Sequence, residues 1–247
     1  MNDHNIPRHI AELVAEASNS ETYEERLGPI HQLCGSLHAN PVLLESFCDH
    51  YLLHYADEWE LNTALRVLRQ MVGELDTPIV RILTRSVCSS GMTIHYKRDV
   101  IFILSQMVNC TPVRVYQRIM HQTDVDIKTS MANDLLIHVH LVMCLEKAFQ
   151  LVKLCLKISS HRSKRIRESL LDGFITFDRK FSDRRSRIYE YCLNKLRHPH
   201  HKVLLYLGLT VASPKRAASY TDSVPAWGNA SALARWYLRD YEEIREE

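Results

Sequence analysis

The residues best suited to bind a metal ion lie together in one short segment. Cys192 is followed by His198, His200 and His201 in the sequence CLNKLRHPHH, and zinc prefers thiolate and imidazole ligands. The segment lacks a second cysteine at the spacing of a zinc site, and Pro199 is predicted to begin a new helix. We therefore expect the histidines to lie in an exposed turn, and the sequence predicts no metal site and no cofactor.

A second pair of histidines, His138 and His140, forms an HxH sequence. On a helix this spacing directs two side chains about 200° apart, so we expect His140 to be a buried, hydrogen-bonded histidine and not a ligand. The sequence contains no phosphate-binding glycine loop and no HExxH, HRD, GxSxG or CxxC motif. We therefore predict that the chain has no catalytic residues and is not an enzyme.

Basic side chains form the clearest candidate binding surface. A helix is predicted over residues 183–197, and three cations and a tyrosine recur on the side opposite its apolar stripe: Arg184, Arg187, Tyr191 and Lys195. A second cluster lies at the start of another predicted helix, in the segment HRSKRIR: Arg162, Lys164 and Arg165. Cations at a helix start destabilise the helix because they oppose its dipole, and their presence there favours a role in binding. We expect these side chains to be free to bind phosphates of RNA or an acidic peptide; the alternative is a solvated surface.

The charges are distributed unevenly along the chain. Residues 1–60 contain two arginines and eleven acidic residues, a net charge of −9, whereas residues 153–202 contain fourteen basic and five acidic residues, a net charge of +9. The net charge of the whole chain is only +2. An acidic segment is therefore joined to a basic one that could attract phosphates or acidic side chains.

The composition predicts an all-α protein. The 247 residues include only 7 glycines and 8 prolines, few for a fold built on hairpins or glycine-rich loops, and 46% are hydrophobic. The seven cysteines are scattered among apolar neighbours, which is typical of reduced thiols. No apolar run is long enough to span a bilayer and no signal peptide is evident, so we expect a soluble protein of the cytoplasm, the nucleus or both, with no membrane partner.

Two segments of nearly the same sequence indicate an internal repeat. QMVGELDTPIVRIL begins at Gln70, and QMVNCTPVRVYQRI begins 36 residues later at Gln106. The same shift moves Ala64, Leu65, Leu68, Met71 and Val72 onto Val100, Ile101, Leu104, Met107 and Val108. The spacing fits one helix face, and a further shift to Leu136, Ile137, His140, Met143 and Cys144 keeps the apolar stripe except at His140. Such repetition is typical of helical units that bury their faces by stacking on copies of themselves.

Helix starts repeat as well. Asn40-Pro41, Thr77-Pro78 and Thr111-Pro112 each offer an N-cap oxygen followed by a proline suited to the first helical position. The predicted helices pair as residues 41–55 with 60–75 and residues 78–88 with 97–109. In these caps and stripes, residues 29–145 resemble HEAT or armadillo-type α-helical repeats, and the size and helicity are similar to those of MIF4G-type HEAT domains. The resemblance implies a HEAT-like α-solenoid of stacked helical hairpins.

The rest of the chain is also predicted to be helical. We expect an α-helical repeat domain over residues 1–212, which includes helices over about residues 164–174 and 202–212. Residues 213–231 contain two prolines, a glycine and several hydroxyl residues, which predicts a linker. A final amphipathic helix is predicted over residues 232–247, with one face that caps the solenoid: Leu233, Tyr237, Tyr241 and Ile244.

Architecture and the absence of a catalytic motif together favour a non-enzymatic adaptor that binds a protein partner within a larger intracellular complex. The alternative is a nucleic-acid-binding helical protein, such as an RNA-associated factor or a viral nucleoprotein, that uses residues 153–202 and stacks bases on Tyr191. A third hypothesis, a metal-assisted enzyme at Cys192 and the nearby histidines, requires bound metal. The sequence does not indicate an oligomeric state.

Overall fold

The computed structural model describes residues 6–54 and 57–246 of the chain. Within these residues every regular element is a helix and none is a strand, which confirms the predicted all-α class. No helix in this part of the chain is both long enough and apolar enough to cross a membrane. The chain divides into two compact units, residues 1–123 and 124–247. The repeat domain expected over residues 1–212 stays a prediction.

The first unit consists of helices that contact their neighbours in sequence. Its helices are α1 (Arg8–Asn19), α2 (Tyr23–His38), α3 (Pro41–Leu53), α4 (Glu58–Gln70), α5 (Thr77–Cys88), α6 (Ile94–Gln106) and α7 (Val113–Gln122). α3 pairs with α4, and α5 pairs with α6. In addition α3 contacts α5, and α4 contacts α6. The two hairpins of this unit therefore lie beside each other in the same order.

The repeated apolar stripe is buried in both hairpins. Met71 and Met107, the matching stripe residues that directly follow α4 and α6, are 2% and 3% exposed. The third copy predicted for this stripe is wrong, because α8 (Val125–His138), the first helix of the second unit, ends at His138 and the chain turns through residues 139–141. Met143 follows this turn and is 79% exposed. His140 is half-buried, and its Nδ1 lies 2.9 Å from the carbonyl oxygen of Ile137.

The three predicted helix starts are capped in different ways. Asn40 caps α3 as predicted, since its Oδ1 accepts a hydrogen bond from the Leu43 amide at 3.1 Å. At α5 the cap is Asp76 and not Thr77, and at α7 Pro112 takes the cap position without a side-chain acceptor. Aspartate is as good a capping residue as threonine, so a helix that begins one residue earlier keeps its cap.

The second unit surrounds one apolar helix. Its helices are α8 (Val125–His138), α9 (Leu145–Cys155), α10 (Lys164–Ile175), α11 (Ser182–Lys195), α12 (Pro199–Ala212), α13 (Pro214–Ala217), α14 (Val224–Ala230) and α15 (Ala232–Glu246). α12 contacts α10, α11, α13, α14 and α15. Its consecutive residues Val203, Leu204 and Leu205 are all fully buried, so α12 is apolar on every side.

Gly208 allows α12 to approach α11 closely. A Cβ atom at this position would lie 2.6 Å from Cε2 of Tyr189 and 2.9 Å from the carbonyl oxygen of Phe174. Real Cβ atoms do not approach other atoms so closely, so only glycine fits without movement of the backbone.

Residues 213–231, predicted as a linker, are largely helical in the structure. Pro214 and Pro225 lie in the first turns of α13 and α14, where proline is favoured because the amide it lacks has no intrahelical partner. Arg216 Nη1 donates to Glu190 Oε2 of α11 at 2.6 Å, and Ala217 is buried. These contacts hold the segment against the second unit.

The last helix buries Tyr237 of its predicted face but not Ile244. Tyr237 is buried and donates a hydrogen bond to the carbonyl oxygen of Ser159 at 2.7 Å. Ala234 and Asp240 are buried as well, whereas Ile244, predicted to lie on the buried face, is 44% exposed. The buried face of α15 therefore includes a carboxyl group.

Candidate binding surface

The predicted basic stripe on α11 is engaged by the protein itself. Arg184 Nη2 donates to the carbonyl oxygens of Val142 and Met143, both at 2.7 Å. Arg187 forms an ion pair with Asp183 at 2.9 Å, one turn away on the same helix. Arg184 is therefore not free of intramolecular partners, whereas Arg187 has only an exposed ion pair, and its role as a binding residue stays a prediction.

Tyr191 and Lys195 share one partner. The Tyr191 hydroxyl donates to Glu146 Oε2 at 2.9 Å, and Lys195 Nζ donates to the same oxygen at 2.6 Å. The hydrogen bond from Lys195 is the main reason why the pKa of Glu146 is lowered to about 2. The Tyr191 ring meets Phe149 edge-on, so its face is not presented as an isolated platform for a base.

The basic cluster at the start of α10, which consists of Arg162, Lys164 and Arg165, has fewer intramolecular partners. Lys164 forms an ion pair with Glu168 at 3.1 Å. Arg162 and Arg165 are exposed and have no ion pair with any described residue. Of the seven predicted site residues, these two arginines remain available to a partner.

A contact between the first turn of α12 and the turn before α10 extends this basic surface. His201 Nε2 lies 3.1 Å from Ser159 Oγ, which places the segment before α10 beside the start of α12. Neither segment contains a carboxylate, because no Asp or Glu occurs within residues 147–167 or within residues 191–221. Four cations lie within four residues of this contact along the chain, and we call them the basic patch: Lys157, Arg162, Arg197 and Lys202. All but Lys202 are exposed.

The histidines near this contact do not form a metal site. The ring centroids of His198, His200 and His201 lie 4.3 to 5.9 Å apart. Cys192 is fully buried, and burial raises the pKa of its thiol to about 12, which disfavours the thiolate that zinc requires. Within the described residues no group of three or more His, Cys, Asp or Glu side chains is placed to hold a metal ion.

Aromatic rings in the second unit are packed against other side chains. The Trp227 ring meets Tyr206 edge-on, and the ammonium group of Lys202 lies 5.6 Å from its centroid. The Trp236 ring is covered by the guanidinium group of Arg167 at 4.4 Å. Single-stranded nucleic acids stack on exposed aromatic faces, and one face of each ring is approached by a cation of the protein itself.

Sequence reasoning missed the most deeply buried cation. Arg185 is 0% exposed, and its Nη2 donates to the carbonyl oxygens of Leu136 at 2.6 Å and Gly173 at 2.9 Å. Those oxygens lie in the last turns of α8 and α10, where backbone carbonyls carry the negative end of the helix dipole. The sequence did indicate that Arg185 is buried, because it lies three and four residues before Ile188 and Tyr189 and so shares the buried side of α11 with them.

Comparisons with family models, curated proteins and solved structures give no match to this chain.

Proposed function

We propose that the chain is a non-enzymatic, HEAT-like helical-repeat adaptor, and that its basic patch binds an acidic segment of a partner protein. The observation that carries this proposal is the contact between His201 and Ser159. It brings together two carboxylate-free segments whose cations Lys157, Arg162 and Arg197 are exposed and form no ion pair with any described residue. Exposed cations that form no ion pair attract negative side chains and increase the association rate.

The surroundings of the patch favour an acidic protein over a nucleic acid. Nucleic-acid binding at a basic surface is strengthened by aromatic faces on which bases stack. In the second unit Trp227, Trp236 and Tyr191 each pack against other side chains. The main force available to the basic patch is therefore Coulombic attraction to negative charges. A flexible acidic peptide is a suitable partner for such a surface.

The stacking of hairpins in the first unit supports the repeat architecture of the proposal. α3 contacts α5 and α4 contacts α6, the arrangement expected when successive helical hairpins pack in register. Repeats of this kind provide extended surfaces for other proteins. Large apolar side chains are exposed in this unit, Trp59 and Val42 among them, which is compatible with further contacts there.

The proposal is tested by charge reversal in the basic patch. The triple variant Lys157→Glu, Arg162→Glu, Arg197→Glu is compared with a control that reverses three exposed cations of the first unit: Arg81→Glu, Arg98→Glu and Arg114→Glu. Tagged parent, patch variant and control are used to capture partners from cell extract with and without nuclease, and the affinity of each captured partner is then measured with purified components.

We expect the patch variant to lose a nuclease-resistant partner that parent and control retain, with affinity reduced at least about tenfold as attraction becomes repulsion. All three proteins should give the same helical circular dichroism spectrum, since exposed charge changes rarely alter stability by more than about 0.5 kcal/mol each. A partner retained equally by all three proteins would contradict the proposal. Nuclease-sensitive binding with a steep salt dependence would identify a nucleic acid instead.

A further inference from the structure

An acidic groove lies between α10 and α15 in the otherwise basic part of the chain. Its volume is about 420 Å³. Seven residues line it: Lys164, Glu168, Ser169, Asp172, Asp240, Glu243 and Ile244. We call this set the acidic groove. It presents four carboxyl groups and only one ammonium group, so its charge is opposite to that of the basic patch.

Asp240 is the residue that distinguishes this groove from a chance cluster of surface acids. It lines the groove but is only 5% exposed, and it makes no hydrogen bond or ion pair with any described residue. Burial, and then the nearby charge of Glu168, raises the pKa of this carboxyl. The carboxyl oxygens themselves are not fully enclosed, so they open into the groove, where the positive charge of Lys164 acts on them from beyond ion-pair distance. A carboxylate that is largely buried, makes no hydrogen bond and opens into a groove is suited to accept the donors of a ligand.

The helix that carries Asp240 is fixed in place. The guanidinium group of Arg167 on α10 lies 4.4 Å from the Trp236 ring centroid on α15, and the hydroxyl group of Tyr237 bonds to the carbonyl oxygen of Ser159. Asp240 follows these two anchors by one turn. Its side chain is therefore held in the wall of the groove by rigid elements, as a binding residue must be.

The other charged groups of the groove have weak partners of their own. Glu168 pairs with the exposed Lys164 across one turn of α10, and Glu243 lies 3.8 Å from Arg239 on α15. Asp172 accepts a hydrogen bond from Thr176 at 2.6 Å. Exposed ion pairs of this kind are worth little and exchange readily, so the groove keeps a negative potential towards an incoming cation.

We propose that the acidic groove binds an arginine side chain of a partner peptide, with the guanidinium group at Asp240 and the aliphatic stem against Ile244. A guanidinium group offers five donors in a planar fork, can serve carboxylates from both walls, and sheds water more easily than an ammonium group. Ile244 supplies an exposed apolar surface for the stem. A metal ion is disfavoured, since no described group of three acids, histidines or cysteines is placed to hold one.

The test uses the full chain and three capped tripeptides: Ala-Arg-Ala, Ala-Lys-Ala and Ala-citrulline-Ala. Citrulline has the shape of arginine without its charge. Binding is followed by amide chemical shifts of α15, and spermidine and Mg²⁺ are titrated separately. The variants are Asp240→Asn and Glu243→Gln, and the matched control is Glu242→Gln, which removes the same charge from an exposed position of α15 outside the groove.

We expect the arginine peptide to shift residues of the groove in the parent and in Glu242→Gln, and to bind at least about tenfold more weakly to Asp240→Asn. Glu243→Gln should weaken binding by a smaller factor, and citrulline should not bind. Absence of binding, or equal binding by parent and Asp240→Asn, would overturn the proposal. Equal affinity for lysine would overturn the guanidinium assignment. Tighter binding of spermidine or Mg²⁺ at Asp240 would replace the peptide with a free polyamine or a metal ion.

Discussion

Replacement of the buried Arg185 tests how a cation is accommodated without a carboxylate. Its guanidinium group donates to Tyr189 Oη at 2.9 Å and to the carbonyl oxygens of Leu136 and Gly173, with a longer contact of 3.4 Å to the Thr176 carbonyl. It also lies 4.3 Å from the Phe177 ring centroid. No carboxylate among the described residues pairs with it, so two helix C-termini supply the compensating negative charge.

Arg185→Met keeps much of the side-chain volume but removes every donor. The carbonyl oxygens of Leu136 and Gly173 would each lose a charge-assisted hydrogen bond worth about 1.5–3 kcal/mol. Removal of a buried charge returns part of its desolvation cost, so we expect a net loss of about 3 kcal/mol. For a unit of this size that loss lowers Tm by roughly 10 °C.

Thermal unfolding followed by circular dichroism measures this effect, with Arg187→Ala as the matched control. Arg187 is exposed and pairs only with Asp183 on the same helix, so its removal should cost less than about 0.5 kcal/mol. If Arg185→Met melts within about a degree of the parent, the helix ends do not depend on the guanidinium group, and our account of this cation is wrong.

Two further predictions follow from the packing. Gly208→Ala should lower Tm because its Cβ would overlap Tyr189, whereas Gly35→Ala, with no atom within 4 Å of its Cβ and a helical position in α2, should stabilise by about 0.5–1 kcal/mol. Equal effects of the two substitutions in thermal melts would contradict the close approach of α11 and α12. The pKa of His201 is lowered to about 4 by burial and then by His200 and His198. The unfolded chain binds this proton near pH 6.5, so the free energy of unfolding should fall as pH drops from about 6.5 to 4, and His201→Gln should reduce that fall. Urea unfolding at several pH values measures it, and parallel pH profiles for parent and variant would refute it.

The periodicity of apolar residues in the sequence was sufficient to predict which face of an individual helix is buried. The five-residue stripes that include Met71 and Met107 follow a 3.6-residue period, and both methionines are buried. The same period predicts that Arg184 and Lys195 point away from the buried stripe of α11, but not what they meet there. Their partners, the Met143 carbonyl and Glu146, lie more than forty residues earlier in the chain. The repeat predicts which helices pair in the first unit, but no repeat extends to α11, and the sequence does not indicate which helix packs opposite it. The predicted free cations could therefore not be distinguished from engaged ones.

The linker prediction was wrong for a related reason. Pro214 and Pro225 are equally suited to a loop and to the first turn of a helix, and only the packing partner decides between them. Here the packing partner is α11, since Arg216 binds Glu190, which lies 26 residues earlier in the chain. The acidic groove was hidden in the same way, since its carboxylates belong to two helices separated by most of the second unit.

The central position of α12 has a consequence for the order of folding during synthesis. The helices of the first unit contact near neighbours in sequence, so that unit can form while the chain is still emerging from the ribosome. In the second unit α10 and α11 can pack on the earlier helices α8 and α9, but the part of each that contacts α12 stays uncovered until residue 212 has been made. This interval is when the nascent chain is most prone to aggregate, and chaperone protection should be needed most there.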